Sequence, residues 1–214
     1  SAGTAITTGN YNLLFGSNAG GALTTGSSNI AMGLTALDTA TTAGGNVAIG
    51  GTAGTAVTSG NSNVLLGYAA GAAITSGSEN IGIGIGALDA IITGSNNIGI
   101  GSSAGTALTS GGDNYLIGSN SGAALTTGSS NVAIGNTALD SATTAGGNVA
   151  IGGTAGTAVT SGNTNVLIGY AAGAAITSGS DNVAIGTSAM SNDITGSRNI
   201  AIGFGALSDD VTVD

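Results

Sequence analysis

Twelve glycines, at Gly16, Gly33, Gly50, Gly67, Gly84, Gly101, Gly118, Gly135, Gly152, Gly169, Gly186 and Gly203, each follow the last by 17 residues. No insertion or deletion breaks the count. A fixed period near 20 residues marks a solenoid, in which each repeat is one coil laid on the next. With the residue after each glycine as place 1 and the glycine as place 17, the consensus is x-x-A-G-x-A-[LVI]-T-[TS]-G-x-x-N-[VI]-[AL]-[IL]-G. Place 13 is asparagine in all twelve instances: Asn12, Asn29, Asn46, Asn63, Asn80, Asn97, Asn114, Asn131, Asn148, Asn165, Asn182 and Asn199. Place 9 is always Thr or Ser, from Thr8 to Thr212, and place 3 is alanine except at Ser121. Such columns make sense if coils stack about 4.8 Å apart, so that each side chain meets its own copy above and below. About 13 coils at that spacing would make a rod about 60 Å long.

Composition narrows the architecture further. Of 214 residues, 42 are glycine, 41% are hydrophobic and only 5% are charged. Disordered chains are rich in charge or poor in apolar residues, and this chain is neither. Collagen needs glycine at every third place together with proline, and there is no proline. Net charge is −9, with Arg198 the sole base, so no set of cations could neutralise nucleic-acid phosphates or anionic lipid. Neither a nucleic-acid partner nor a membrane is therefore expected. The N-terminus SAGTAITTGN carries no basic region or apolar run of the signal-peptide kind. The richest apolar stretch, IGIGIGALDAIIT from Ile81, is interrupted by glycine and Asp89 and is too short to cross a bilayer.

Places 14–16, such as Val47-Ala48-Ile49, are β-prone and predict one short strand per coil. Places 6–9, such as Ala56-Val57-Thr58-Ser59, predict a second. Glycine at place 17 and the Gly-x-x-Asn at places 10–13 supply the turns. No stretch has a helical period, and the glycine density opposes helix. The expectation is an all-β, parallel β-solenoid or β-roll running continuously over residues 1–208. Residues 209–214 leave the pattern. Residues 34–84 and 136–186 match at 44 of 51 positions. A three-coil rhythm lies inside those blocks: place 15 is leucine at Leu14, Leu65, Leu116 and Leu167, and alanine or glycine elsewhere.

A strand alternates its side chains between faces. If places 14 and 16 point into the coil, place 15 points out, yet it holds only Leu, Ala and Gly. Strands apolar on both faces are normally covered on both faces, and the natural cover is another copy of the chain. Leu14, Leu65, Leu116 and Leu167 are then the candidate oligomer interface. The plainer alternative is a small-residue stripe that tolerates water.

The phrase NVAIG, at Asn46, Asn131, Asn148 and Asn182, with x-x-A-G-x-A-[LVI]-T-[TS]-G-x-x-N after it, resembles repeats of two groups. One is the head domain of trimeric autotransporter adhesins. The other is a set of phage tail-fibre-like proteins, to which the 17-residue length and the TTG-x-x-N half are more similar. The resemblance spans essentially residues 1–208. It implies a homotrimeric parallel β-roll and a structural or adhesive role on a virion fibre or cell surface, outside the cell.

No catalytic constellation is legible. Without His, Cys or Lys, a Ser-His-Asp triad, a zinc site and a Schiff-base lysine are all excluded. No enzyme activity and no cofactor are expected. The asparagine column is expected to act as an internal hydrogen-bonded ladder, joining coils rather than binding a ligand. Asp38, Asp89 and Asp140, with Glu79, Asp113 and Asp181, raise calcium binding, but six to eight oxygens are needed and solvated acids are the simpler reading. The adjacent Asp209 and Asp210 do not form the carboxylate pair of a glycosidase cleft. An ice-binding reading of the Thr columns meets the objection that places 8 and 9, as strand neighbours, would face opposite ways. Tyr68 and Tyr170, at one place in the duplicated blocks, are the candidate contacts for a host-surface glycan. The leading expectation is a non-enzymatic, homotrimeric fibre segment that spaces or presents a site for a host glycan or protein. The alternative is a self-assembling extracellular filament, stacked end to end.

Overall fold

A computed structural model describes residues 1–192 and 195–208. Two compact units divide the chain, Ser1–Ser110 and Gly111–Asp214. The first holds six strands of three residues: β1 Leu13–Phe15, β2 Ile30–Met32, β3 Val47–Ile49, β4 Val64–Leu66, β5 Ile81–Ile83 and β6 Ile98–Ile100. The second holds β7 Tyr115–Ile117, β8 Val132–Ile134, β9 Val149–Ile151, β10 Val166–Ile168, β11 Val183–Ile185 and β12 Ile200–Ile202. Within each unit the strands lie side by side in chain order and pair in parallel. Register is fixed at one repeat, with Val47 opposite Val64 and Ala48 opposite Leu65. The fold is an all-β parallel solenoid. The expected departure from the repeat at 209–214 lies outside the described residues.

Glycine at place 17 ends each strand because only glycine fits there. Gly67 has φ +137, and a Cβ on it would meet the carbonyl oxygen of Gly84 at 2.4 Å. Its amide still donates to Ile49 O at 2.8 Å, so the chain turns without leaving the stack.

The expected second strand is not formed. In each unit, places 6–9 of the described coils follow a bent path. The amides of Thr58, Ser59 and Gly60 converge on one acceptor, Thr75 O, at 3.0, 3.1 and 3.2 Å. The Thr58 hydroxyl donates to the same oxygen at 3.1 Å. A strand would send alternate amides to opposite sides, whereas this path gathers three consecutive ones on one carbonyl of the next coil. The second unit repeats the arrangement, with Thr160, Ser161 and Gly162 on Thr177 O.

The core of each coil is a narrow column of places 3, 4, 7 and 15. Leu65, Leu116 and Leu167 at place 15 are wholly buried inside their coils. The candidate oligomer interface at Leu14, Leu65, Leu116 and Leu167 is therefore corrected. A Cβ placed on Gly20, Gly71, Gly122 or Gly173 would meet those leucines at 3.0 Å or less, so they fill the interior instead of facing a partner. The asparagine at place 13 sets this parity. Asn63 is buried, so by alternation Val64 points out, Leu65 in and Leu66 out.

Leucines from the opposite wall complete the core. Leu37, Leu88 and Leu139 sit at place 4, where glycine stands in the coils between, and adopt φ of 51°, 54° and 51°. That conformation costs a non-glycine residue roughly 1–2 kcal/mol. Complete burial of the side chain contributes about as much in return. Leu37 and Leu65 reach into the space above Gly54 from two sides. The three-coil rhythm is thus a packing rhythm: leucine at place 4, then leucine at place 15, then a coil with neither.

Candidate functional site

The asparagine column runs through the buried edge of each coil. Asn63 Nδ2 donates to Gly77 O at 3.0 Å and to Asn46 Oδ1 at 3.0 Å. Its own Oδ1 accepts from the amide of Asn80 at 3.0 Å and from Asn80 Nδ2 at 3.1 Å. The same bonds join Asn131, Asn148, Asn165 and Asn182 in the second unit. No buried side-chain nitrogen or oxygen among the described residues lacks a partner. Both amide hydrogens and both oxygen lone pairs of Asn63 are thus used within the protein, leaving none for a ligand.

Threonines at place 8 are similarly engaged: Thr7, Thr24, Thr41, Thr58, Thr75, Thr126, Thr143 and Thr160 donate their hydroxyls to the next coil's carbonyl, as Thr75 does to Ile92 O at 2.9 Å. Ile92 occupies the column without a hydroxyl, and its carbonyl still accepts from the Thr75 and Ser76 amides. Places 8 and 9 were expected to face opposite ways. Instead both Thr58 and Ser59 are exposed, between buried Val57 and Gly60, because the bent path replaces a strand.

Tyr68 and Tyr170 lie at the corner after the strand, 62% and 63% exposed. Each ring runs alongside the glycine at the same place in the preceding coil, Gly51 or Gly153. Glycine there leaves one flank of the ring seated on backbone and the rest open.

The charged side chains of the described residues occupy two columns. Asp38, Asp89 and Asp140 are at place 5, while Glu79, Asp113, Asp181 and Arg198 are at place 12. Asp181 accepts a hydrogen bond from the Thr164 hydroxyl below it. No three acids gather where they could hold a cation among the described residues. Burial pushes the Asp89 carboxyl above its ordinary value, against an opposing hydrogen bond from the Ala72 backbone, and burial alone does so at Asp140. A raised folded-state value means that the fold favours the protonated acid. The stability contributed is complete below the ordinary value of 3.8 and is lost as pH rises through the folded values. Lowering the pH from about 7 to about 4 should therefore raise the thermal unfolding midpoint slightly. Asp89→Asn combined with Asp140→Asn should reduce that rise. A midpoint that falls on acidification would contradict it.

The outer face of the strand stack, by contrast, has no polar side chain other than the Tyr115 hydroxyl. Places 14 and 16 hold only Val, Ile, Leu, Met, Phe and Tyr in all twelve strands. Ile49 is 40% exposed, and Met32, Ile100, Ile134 and Ile151 are each 36% exposed. The place-15 composition had suggested an apolar outer face at the wrong column. The signal that locates it is the asparagine at place 13, buried beside the strand, which by alternation turns places 14 and 16 out.

No protein-family model, curated protein or solved structure matches the chain.

Proposed function

We propose that the chain is a non-enzymatic structural segment of an extracellular fibre, carried on a virion or a cell surface, that spaces or presents an adhesive site. It works as an oligomer of itself, a homotrimer in the families its repeat resembles. The observation that carries this reading is the self-bracing coil. The buried asparagines are used to hold the next coil, as Asn46, Asn63 and Asn80 do, which suits load-bearing. Tyr68 and Tyr170 supply the exposed aromatic surface on which a sugar ring could stack.

Binding of the labelled protein to arrayed glycans and to whole cells tests this. Saturable binding, weakened about tenfold by Tyr68→Ala with Tyr170→Ala, is the expected result for a segment that presents the site itself. Absence of binding together with long filaments in electron micrographs would replace it with the end-to-end structural filament. Ice binding is a second reading, favoured by the shared exposure of Thr58 and Ser59. It predicts thermal hysteresis, and none would dismiss it.

A further inference from the structure

We infer that the outer face of the strand stack, places 14 and 16, is the surface on which a second copy of this chain docks. The inference rests on the oligomeric part of the proposed function and gives it a location. Three features of the face select that occupant.

First, its chemistry forbids long exposure. Across β1–β12 the 24 outward places hold not one Thr, Ser, Asn, Asp, Glu, Lys or Arg. Threonine is as good a strand former as valine, and the chain uses it freely at places 8 and 9. Its complete absence from the one outward strand face points to an apolar cover.

Second, charge directs like chains to this face. The chain carries −9, and none of its charged residues falls at place 14 or 16. Copies meeting through the columns of Asp38 and Asp89, or of Glu79, would set acid against acid. Copies meeting through Ile49 and Ile83 would not.

Third, the pitch fits. A second copy presents isoleucine ridges at the same axial spacing, about 4.8 Å, so its ridges enter grooves of matching pitch along the stack of either unit.

Molar mass by light scattering coupled to size exclusion, over a range of concentrations, tests the inference. The wild-type protein should run as a discrete multiple of the chain. Ile49→Glu with Ile83→Glu, and separately Ile151→Glu with Ile185→Glu, should shift dissociation to concentrations at least about tenfold higher. Ser59→Glu with Thr93→Glu, on the place-9 column, should leave the mass unchanged. Should the place-16 glutamates lose the β signal in circular dichroism, Ile49→Thr with Ile83→Thr keeps strand propensity and must still loosen the assembly.

A wild-type monomer at every concentration overturns the inference, as do face variants of unchanged mass. A monomer that binds phosphatidylcholine vesicles assigns the face to lipid and likewise overturns it. A discrete oligomer that binds no glycan or cell refutes the presenting role and leaves the interface standing.

Discussion

Gly67→Ala is expected to destabilise the first unit by on the order of 4 kcal/mol, near the upper end of single-residue effects. Two penalties coincide there. The φ of +137 lies where L residues hardly go, and the new methyl would sit 2.4 Å from Gly84 O and 2.7 Å from Gly84 C. Gly84 cannot retreat, because it is itself a strand-ending glycine set about as close to Gly101 in the coil beyond. Gly86→Ala is the matched control. Gly86 has φ +63 with nothing within 4 Å of the added methyl, and Thr35 and Ala69 already adopt that conformation at the same place. It should cost about 1 kcal/mol. Denaturant unfolding followed by circular dichroism measures both. Because coils interact only with their neighbours, the Gly67→Ala trace should also split into two transitions. Equal effects for the two variants would mean that the close approach at place 17 does not govern stability.

Asn63→Leu is the second large effect, expected at about 4 kcal/mol although the branched shape and the number of heavy atoms are kept. The substitution strips the Gly77 carbonyl of its donor from Asn63 and the Asn80 amide of its acceptor, both inside the coil. It also removes the bonds from Asn63 to the Asn46 and Asn80 side chains. Two buried backbone groups without partners cost about 1–3 kcal/mol each. Thr58→Val should show the opposite extreme, below about 1 kcal/mol, since Ile92 fills the same column and its neighbours keep their backbone bonds. Thermal and denaturant midpoints for the pair decide the matter. A mild Asn63→Leu would show that water reaches the column and replaces the amide.

The solenoid was legible because a period of 17 residues without a slip leaves little else to build. The side of the strand that faces in was not, and the error has one physical source. Alternation fixes which places agree with each other but not which set is inside. Asn46 resolves it: an invariant amide beside the strand belongs inside, which carries Ala48 in with it and turns Val47 and Ile49 out. The lost second strand has a different cause. Val57-Thr58-Ser59 has strand propensity, but three amides meeting one carbonyl and a hydroxyl joining them outweigh it, and that convergence leaves no mark in residue type. Tyr68 and Tyr170 were legible as exposed turn residues, while the glycine seat under each ring depends on which coils adjoin.

The alternation of leucines between the two walls also sets how such an array can change length over generations. If the coil from Tyr68 to Gly84 were lost, Leu65 would lie beneath Leu88 instead of Gly71. Its methyl groups would then sit where the Leu88 Cβ must go, since Leu65 already comes within 2.7 Å of a Cβ built on Gly71. Losing the 51 residues of a whole block, such as 34–84, restores every neighbour to its own kind. The length change that the packing tolerates is therefore the three-coil cassette. Unequal recombination would lengthen or shorten the chain in steps of 51 residues, and the near-identity of 34–84 and 136–186, two such steps apart, fits that rule.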